Sequence, residues 1–188
     1  MSNYLAIATV TEVLKELLQE AVQGAAVTTM HPSKQKESPA INIYMYQVNP
    51  NKSLRNTDLP TRRSNGSLIQ CPQIALNLNY LISFYGNDAT HEPQRLLGSV
   101  VSAIHANPVL ESQQIRDVIN KIDYIRNSDL DTSVEQVKFT TIPFSLEESF
   151  KIWSAFQTQH ALSIAYEASV VQIESEDTVS APALPVHG

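Results

Sequence analysis

The sequence predicts a single α+β domain, a mostly antiparallel sheet of long strands with helices packed against it. Three observations carry that prediction. Segments 41–48, 73–85 and 162–173 alternate with the period of two that a half-buried strand requires. Around them lie stretches whose apolar residues recur at helical spacing. The chain has 188 residues and is 43% hydrophobic, enough for one core without a disulfide or metal staple.

The first element is an amphipathic helix. Val10, Val13, Leu14, Leu17, Leu18, Ala21 and Val22 form one stripe, and Glu12, Lys15, Glu16, Gln19 and Glu20 fill the opposite face. Gly24 is placed to stop it. From Ala25 to Pro39 a short apolar piece gives way to turn chemistry in His31-Pro32-Ser33-Lys34. The first strand, 41–48, sets Ile41, Ile43 and Met45 on one face and Tyr44, Tyr46 and Val48 on the other. A segment from Asn49 to Pro72 follows, rich in proline and basic residues. Loops beyond about 12–15 residues are uncommon in compact domains and are usually functional or disordered, so contacts are expected here first.

Residues 73–85 predict a strand of ~40 Å at the usual rise. Ile74, Leu76, Leu78, Tyr80, Ile82 and Phe84 face one way. The other face mixes Ala75, Leu81 and Tyr85 with Asn77, Asn79 and Ser83, which predicts partial cover on that side too. A helix with Pro93 in its first turn buries Leu96, Leu97, Val100, Val101 and Ile104. Asn107-Pro108 ends it, and a second helix over 112–126 uses Ile115, Val118, Ile119, Ile122 and Ile125. Strand character returns at 134–142. Ser145-Leu146-Glu147-Glu148 is a capping box, opening a helix whose Phe150, Trp153 and Phe156 are expected in the core. The last strand alternates through Ile164, Tyr166, Ala168 and Val170. Residues 1–174 are thus one domain, and 175–188 an acidic, Ala/Pro-containing tail expected to be disordered.

Composition excludes several classes of function. A net charge of −6 and a pI near 5.3 argue against a dedicated nucleic-acid binder. The lone Cys71 excludes a disulfide framework, a thiolate zinc site and a CxxC redox centre, and beside Pro72 it reads as an inert small residue. No apolar run approaches the ~18–20 residues of a membrane span. The opening Met1-Ser2-Asn3 leads into no basic-then-apolar signal, so a soluble protein made in the cytoplasm is expected.

Catalytic motifs are missing. The five histidines stand at 31, 91, 105, 160 and 187, none spaced to share a metal, and His105 is expected half-buried at the edge of a helical stripe. Asp129-Leu130-Asp131-Thr132-Ser133 opens like a calcium loop, but Val134 replaces the needed Gly and Thr140 the needed Glu. Glu147 and Glu148 are explained by capping. No GxGxxG, GxxxxGK[ST] or GxSxG occurs. No cofactor and no catalytic residue is therefore assigned. The triplets at Asn51 and Asn65 fit a glycosylation acceptor only by chance, given no signal peptide.

Charge is unevenly spread. Residues 31–72 hold six basic residues (Lys34, Lys36, Lys52, Arg55, Arg62 and Arg63) against two acids, net +4. Residues 127–188 hold two basic residues against nine acids, net −7. Either these are solvated surfaces, or the subunit is polarised and its opposite patches steer it onto copies of itself or a partner.

Several runs taken together resemble one family. The first block is Asn42-Ile43-Tyr44-Met45-Tyr46-Gln47-Val48-Asn49-Pro50-Asn51, with Leu54-Arg55-Asn56, Leu59-Pro60 and Arg62. The second is LNLNYLISFYG from Leu76 to Gly86, then Glu92-Pro93-Gln94-Arg95-Leu96-Leu97-Gly98. The third joins Ser145-Leu146-Glu147-Glu148, Trp153-Ser154, Leu162-Ser163 and Tyr166. In this order they resemble the N-terminal domain of the cap, or tail-terminator, proteins of phage-tail-like extracellular contractile injection systems, over roughly residues 5–174. The resemblance implies a tail-terminator fold and a non-enzymatic structural role. It implies a homohexameric ring that closes the distal end of the inner tube and meets the last sheath layer, ending polymerisation. The implied partners are the tube protein, the sheath protein and, for so short a form, a second cap paralogue. Neither nucleic acid nor membrane insertion is implied, and assembly is expected in the bacterial cytoplasm, in a particle either released or membrane-anchored. Lys52, Arg55, Arg62 and Arg63 are the candidate contacts to the tube or a neighbouring subunit, and an open strand edge is a candidate for accepting a sheath strand. A neck, connector or baseplate-side adaptor ring is the alternative within the same machinery. A small cytosolic binding module or enzyme is the alternative outside it.

Overall fold

The computed structural model describes residues 2–35, 38–57, 61–62, 68–70, 73–133 and 136–174. Arg63, Cys71, Val134 and the tail 175–188 therefore lie outside the described residues. The chain begins with α1 (Ala6–Ala21), which buries Val10, Val13, Leu14 and Leu18 as their spacing requires, leaves Leu17 half-buried and Ala21 exposed, and also buries Glu12 from the expected polar face. Gly24, at φ 79°, turns the chain into β1 (Ala26–Thr28). β2 (Ala40–Pro50) and β5 (Gln73–Tyr85) are the long central pair, and between them lies a small ribbon of β3 (Thr61–Arg62) and β4 (Leu68–Gln70). α2 (Glu92–Ala106) and α3 (Ser112–Lys121) follow, then β6 (Lys138–Ile142), α4 (Leu146–Ala155) and β7 (Ser163–Glu174).

The main sheet has the order β1-β2-β5-β7-β6. Only β1–β2 is parallel; the other three pairings are antiparallel. The expected α+β domain is what folds. On one face, Ile43, Leu78, Tyr80, Ile82, Tyr166 and Ala168 meet the buried stripes of α1, α2 and α3 in one continuous core. Each fully buried Leu or Ile of that core contributes roughly 1.5–3 kcal/mol. The other face carries a smaller cluster, Leu81 with Trp153 and Phe156, packed against Tyr44, Tyr46 and Phe144. Among the described residues α4 and its flanks, with Phe144, Phe156 and Ala161, build that cover; ten residues of helix span ~15 Å, against a central strand of roughly 43 Å.

Two ladder irregularities re-aim side chains. Met45 pairs with Tyr80, but Gln47 pairs with Asn79, so Tyr46 is an extra residue in β2. Beyond this bulge the parity of β2 reverses. Val48 now pairs with Leu78 on the main-core face, not on the face of Tyr44 as simple alternation predicts. Likewise Leu76 pairs with Val171 and Leu78 with Ala168, leaving one extra residue in β7.

Other departures have plain causes. β1 is three residues long, too short to show a period. The helix expected over 112–126 stops at Lys121, and a 3-10 turn at Asp123–Ile125 still delivers Ile125 to the core. Phe150, expected in the core, is 57% exposed, because Trp153 and Phe156 already fill the space under α4. His105 is exposed, not half-buried. The failed calcium loop has structural work instead: Asp129 accepts from the Asn3 N–H at 2.7 Å, and Asp131 pairs with Arg116 at 3.0 Å.

Candidate interaction surfaces

The segment joining β2 to β5 begins from a defined base. The Asn51 N–H donates to the Ala75 carbonyl at 2.7 Å, and the Asn51 amide donates to Asn77 Oδ1 at 2.8 Å. Asn51 Oδ1 also accepts from the Ser53 N–H at 3.0 Å, starting the 3-10 turn Lys52–Thr57. Of the four candidate basic residues, Lys52 is exposed at the start of this turn and forms no ion pair among the described residues. Arg55 lies further along the same turn and Arg62 in β3, while Arg63 is outside the described residues. The fold therefore places three of the four on one excursion from the sheet.

Next to that excursion is a polar patch that sequence reasoning did not single out. Asn79 on β5 pairs with Gln47 of β2 and Glu167 of β7, so the three share a face. Asn79 is only 7% exposed, and its Oδ1 has no hydrogen-bond partner among the described residues. Burial and the carboxylates of Glu148 and Glu167 push the Tyr46 phenol above its ordinary value, although the nearby Asn79 amide opposes them. The Phe144 ring meets that of Tyr46 edge-on at 6.0 Å. Alternation alone keeps Tyr46 on this face, but it is the bulge that brings Gln47 here, and a bulge leaves no signature in an alternating sequence.

The capping box forms as read. The Ser145 hydroxyl accepts from the Glu148 N–H at 3.1 Å, and Glu148 Oε2 accepts from the Ser145 N–H at 2.9 Å. Those bonds hold the Glu148 carboxyl below its usual range. On the outer side of α4, Leu146 (71% exposed) and Phe150 stand one turn apart, flanked by the Glu147–Lys151 pair at 2.6 Å.

The sheet has two edges. On β2, β1 covers residues 40–42, and no strand among the described residues pairs with the outer side of 43–50. The bulge at Tyr46 and Pro50, whose missing N–H faces outward, interrupt that edge. On β6, the Phe139 N–H donates to the Pro108 carbonyl at 2.8 Å, so only residues 140–142 are open. Among the described residues no three His, Cys, Asp or Glu side chains are grouped to hold a metal. No helix among them is long and apolar enough to cross a membrane.

A family model described as the Pvc16 N-terminal domain matches residues 9–186. The chain belongs to that family. The match takes in every helix and strand from within α1 to the end of β7. Two solved structures share the fold. One is the PVC sheath/tube terminator of an extracellular contractile injection system in its extended state, with a TM-score of 0.65 and 17% identity. The similarity covers 97% of this chain and 61% of that one. The other is the tube-terminating cap of the anti-feeding prophage, with a TM-score of 0.62 and 17% identity over 95% of this chain and 58% of that one. The chain thus spans about three fifths of the length of each structure. No curated protein matches it. The family resemblance read from the ordered sequence blocks is borne out, and so is the fold that it implied.

Proposed function

We propose that this chain is a structural terminator of a contractile injection particle. Copies of it form a homohexameric ring on the distal end of the inner tube, contact the last sheath layer and end polymerisation of both. The observation that carries this reading is the family match over residues 9–186, supported by a fold shared with a sheath/tube terminator and a tube-terminating cap. The role is non-enzymatic and needs no cofactor. Its partners are its own copies, the tube protein, the sheath protein and a second cap paralogue, and assembly takes place in the bacterial cytoplasm.

Two surfaces suit these contacts. Lys52, Arg55, Arg62 and Arg63 supply a cationic patch for the tube or a neighbouring subunit. The open side of β2 at 43–50 can add a sheath strand by β-augmentation, in which main-chain hydrogen bonds supply the affinity. Immunogold labelling of an epitope-tagged chain on purified particles tests the reading. Label confined to the end away from the baseplate is expected; label at the baseplate or along the sheath contradicts it. Reversing the four basic charges to Glu is expected to abolish incorporation while circular dichroism stays unchanged. Normal incorporation of that variant would remove these residues from the interface.

A further inference from the structure

We infer that the second face of the sheet holds a receptor for one cationic side chain, built from Asn79, Tyr46 and Glu167, and that its occupant is a basic residue of the 52–63 segment in a second copy of this chain. The inference rests on the ring reading above and names the surfaces through which copies meet. Three independent features converge on one spot. The first is the orphaned acceptor: Asn79 is more than nine-tenths buried and its Oδ1 is unmatched among the described residues. An unmatched buried acceptor costs about 1–3 kcal/mol, which a donor arriving on assembly would remove. Among the described residues this amide is instead a donor, from Asn79 Nδ2 to Gln47 Oε1 at a long 3.4 Å.

The second feature is charge. Glu167 lies directly across the ladder from Asn79, and its carboxylate makes no hydrogen bond or ion pair among the described residues. Lys138, diagonal to Glu167 on β6, is exposed and forms no ion pair. The third feature is aromatic: the rings of Tyr46 and Phe144 meet edge-on on this same face of the sheet. An acceptor, a carboxylate and aromatic rings are together the chemistry that takes a guanidinium or ammonium group.

Charge complementarity identifies the occupant. Residues 31–72 carry net +4, and exposed Lys52 finds no carboxylate in its own chain among the described residues. A closed ring joins unlike surfaces of successive copies, so a cationic excursion on one and an anionic receptor on the next meet its requirement. A charge-swap experiment tests this by sedimentation of the purified chain. Glu167→Arg is expected to weaken self-association at least tenfold. Combining it with Lys52→Glu, Arg55→Glu, Arg62→Glu and Arg63→Glu is expected to restore association, which no folding defect would do. Unchanged assembly of Glu167→Arg overturns the receptor while leaving the ring intact. Loss without rescue overturns the assigned occupant. A wild-type chain that is monomeric throughout, and present as one copy per particle, overturns the ring reading and this inference with it.

Discussion

The hydroxyl of Tyr80, at the centre of β5, meets the hydroxyl of Thr11 on α1 at 2.8 Å. Thr11 in turn donates to the Ile7 carbonyl at 3.1 Å, so the proton between the two hydroxyls belongs to Tyr80. A fully buried phenol is thereby satisfied inside the main core, and the first helix is pinned to the central strand. Tyr80→Phe is expected to cost about 1 kcal/mol in urea unfolding near neutral pH. Burial also raises the Tyr80 pKa above its ordinary value near 10, which the unfolded chain retains. The folded state then holds its proton where the unfolded state has lost it, so stability is full below about pH 10 and falls as the pH rises. Tyr80→Phe should flatten that alkaline decline. A decline of equal steepness in both proteins would contradict the assignment.

The smaller cluster makes a paired prediction. Trp153 is 2% exposed and its ring stands edge-on to Phe156 at 5.8 Å, whereas Phe150 on the same helix is 57% exposed. Trp153→Ala is expected to cost about 3–5 kcal/mol. Phe150→Ala should stay within about 0.5 kcal/mol. Circular dichroism followed through urea unfolding separates the two, and equal losses would mean that the cover over the second face is misplaced.

Two glycines should respond in opposite directions. Gly98 lies inside α2, and a Cβ there meets nothing within 4 Å. Gly98→Ala should therefore stabilise the isolated chain by up to about 1 kcal/mol. Gly24 is also uncrowded, but its φ of +79° strains any L side chain. Gly24→Ala should destabilise by about 1 kcal/mol or more. Thermal midpoints of the two variants, read beside the parent, check both signs.

Ser145→Ala removes one arm of the capping box and should cost about 1 kcal/mol. It should also let the Glu148 carboxyl rise part of the way toward its ordinary range, since the larger cause, the Ser145 backbone N–H, remains in the variant. With Ser145 present that carboxyl is lowered, so its contribution holds above the unfolded pKa and is lost as the pH falls. An NMR titration of Glu148 in both proteins reads the difference directly, and identical midpoints would remove the Ser145 hydroxyl as a cause and leave the backbone N–H.

The residues that matter most for the fold were legible in proportion to the length of their pattern. β5 occupies 73–85 as alternation predicts, because thirteen residues leave no ambiguity of period. The capping box was equally legible, since its chemistry is local. β1 was not, because its three residues are held by parallel pairing to β2, a contact that sequence does not display. Val48 went to the wrong face because one bulge residue, Tyr46, shifts everything after it. Phe150 and Trp153 both fit the helical stripe, and only the width of the cluster beneath decides which is buried. The charge asymmetry was visible from composition. The receptor at Asn79 was not, because it needs three strands in register to exist.

The central claim, that this chain ends tube and sheath growth, is tested most directly by electron microscopy of particles made from the gene cluster with and without its gene. Unterminated, variable-length or sheath-less tubes in its absence are the predicted result. Particles of normal length with a normal distal end, made without the gene, would contradict it.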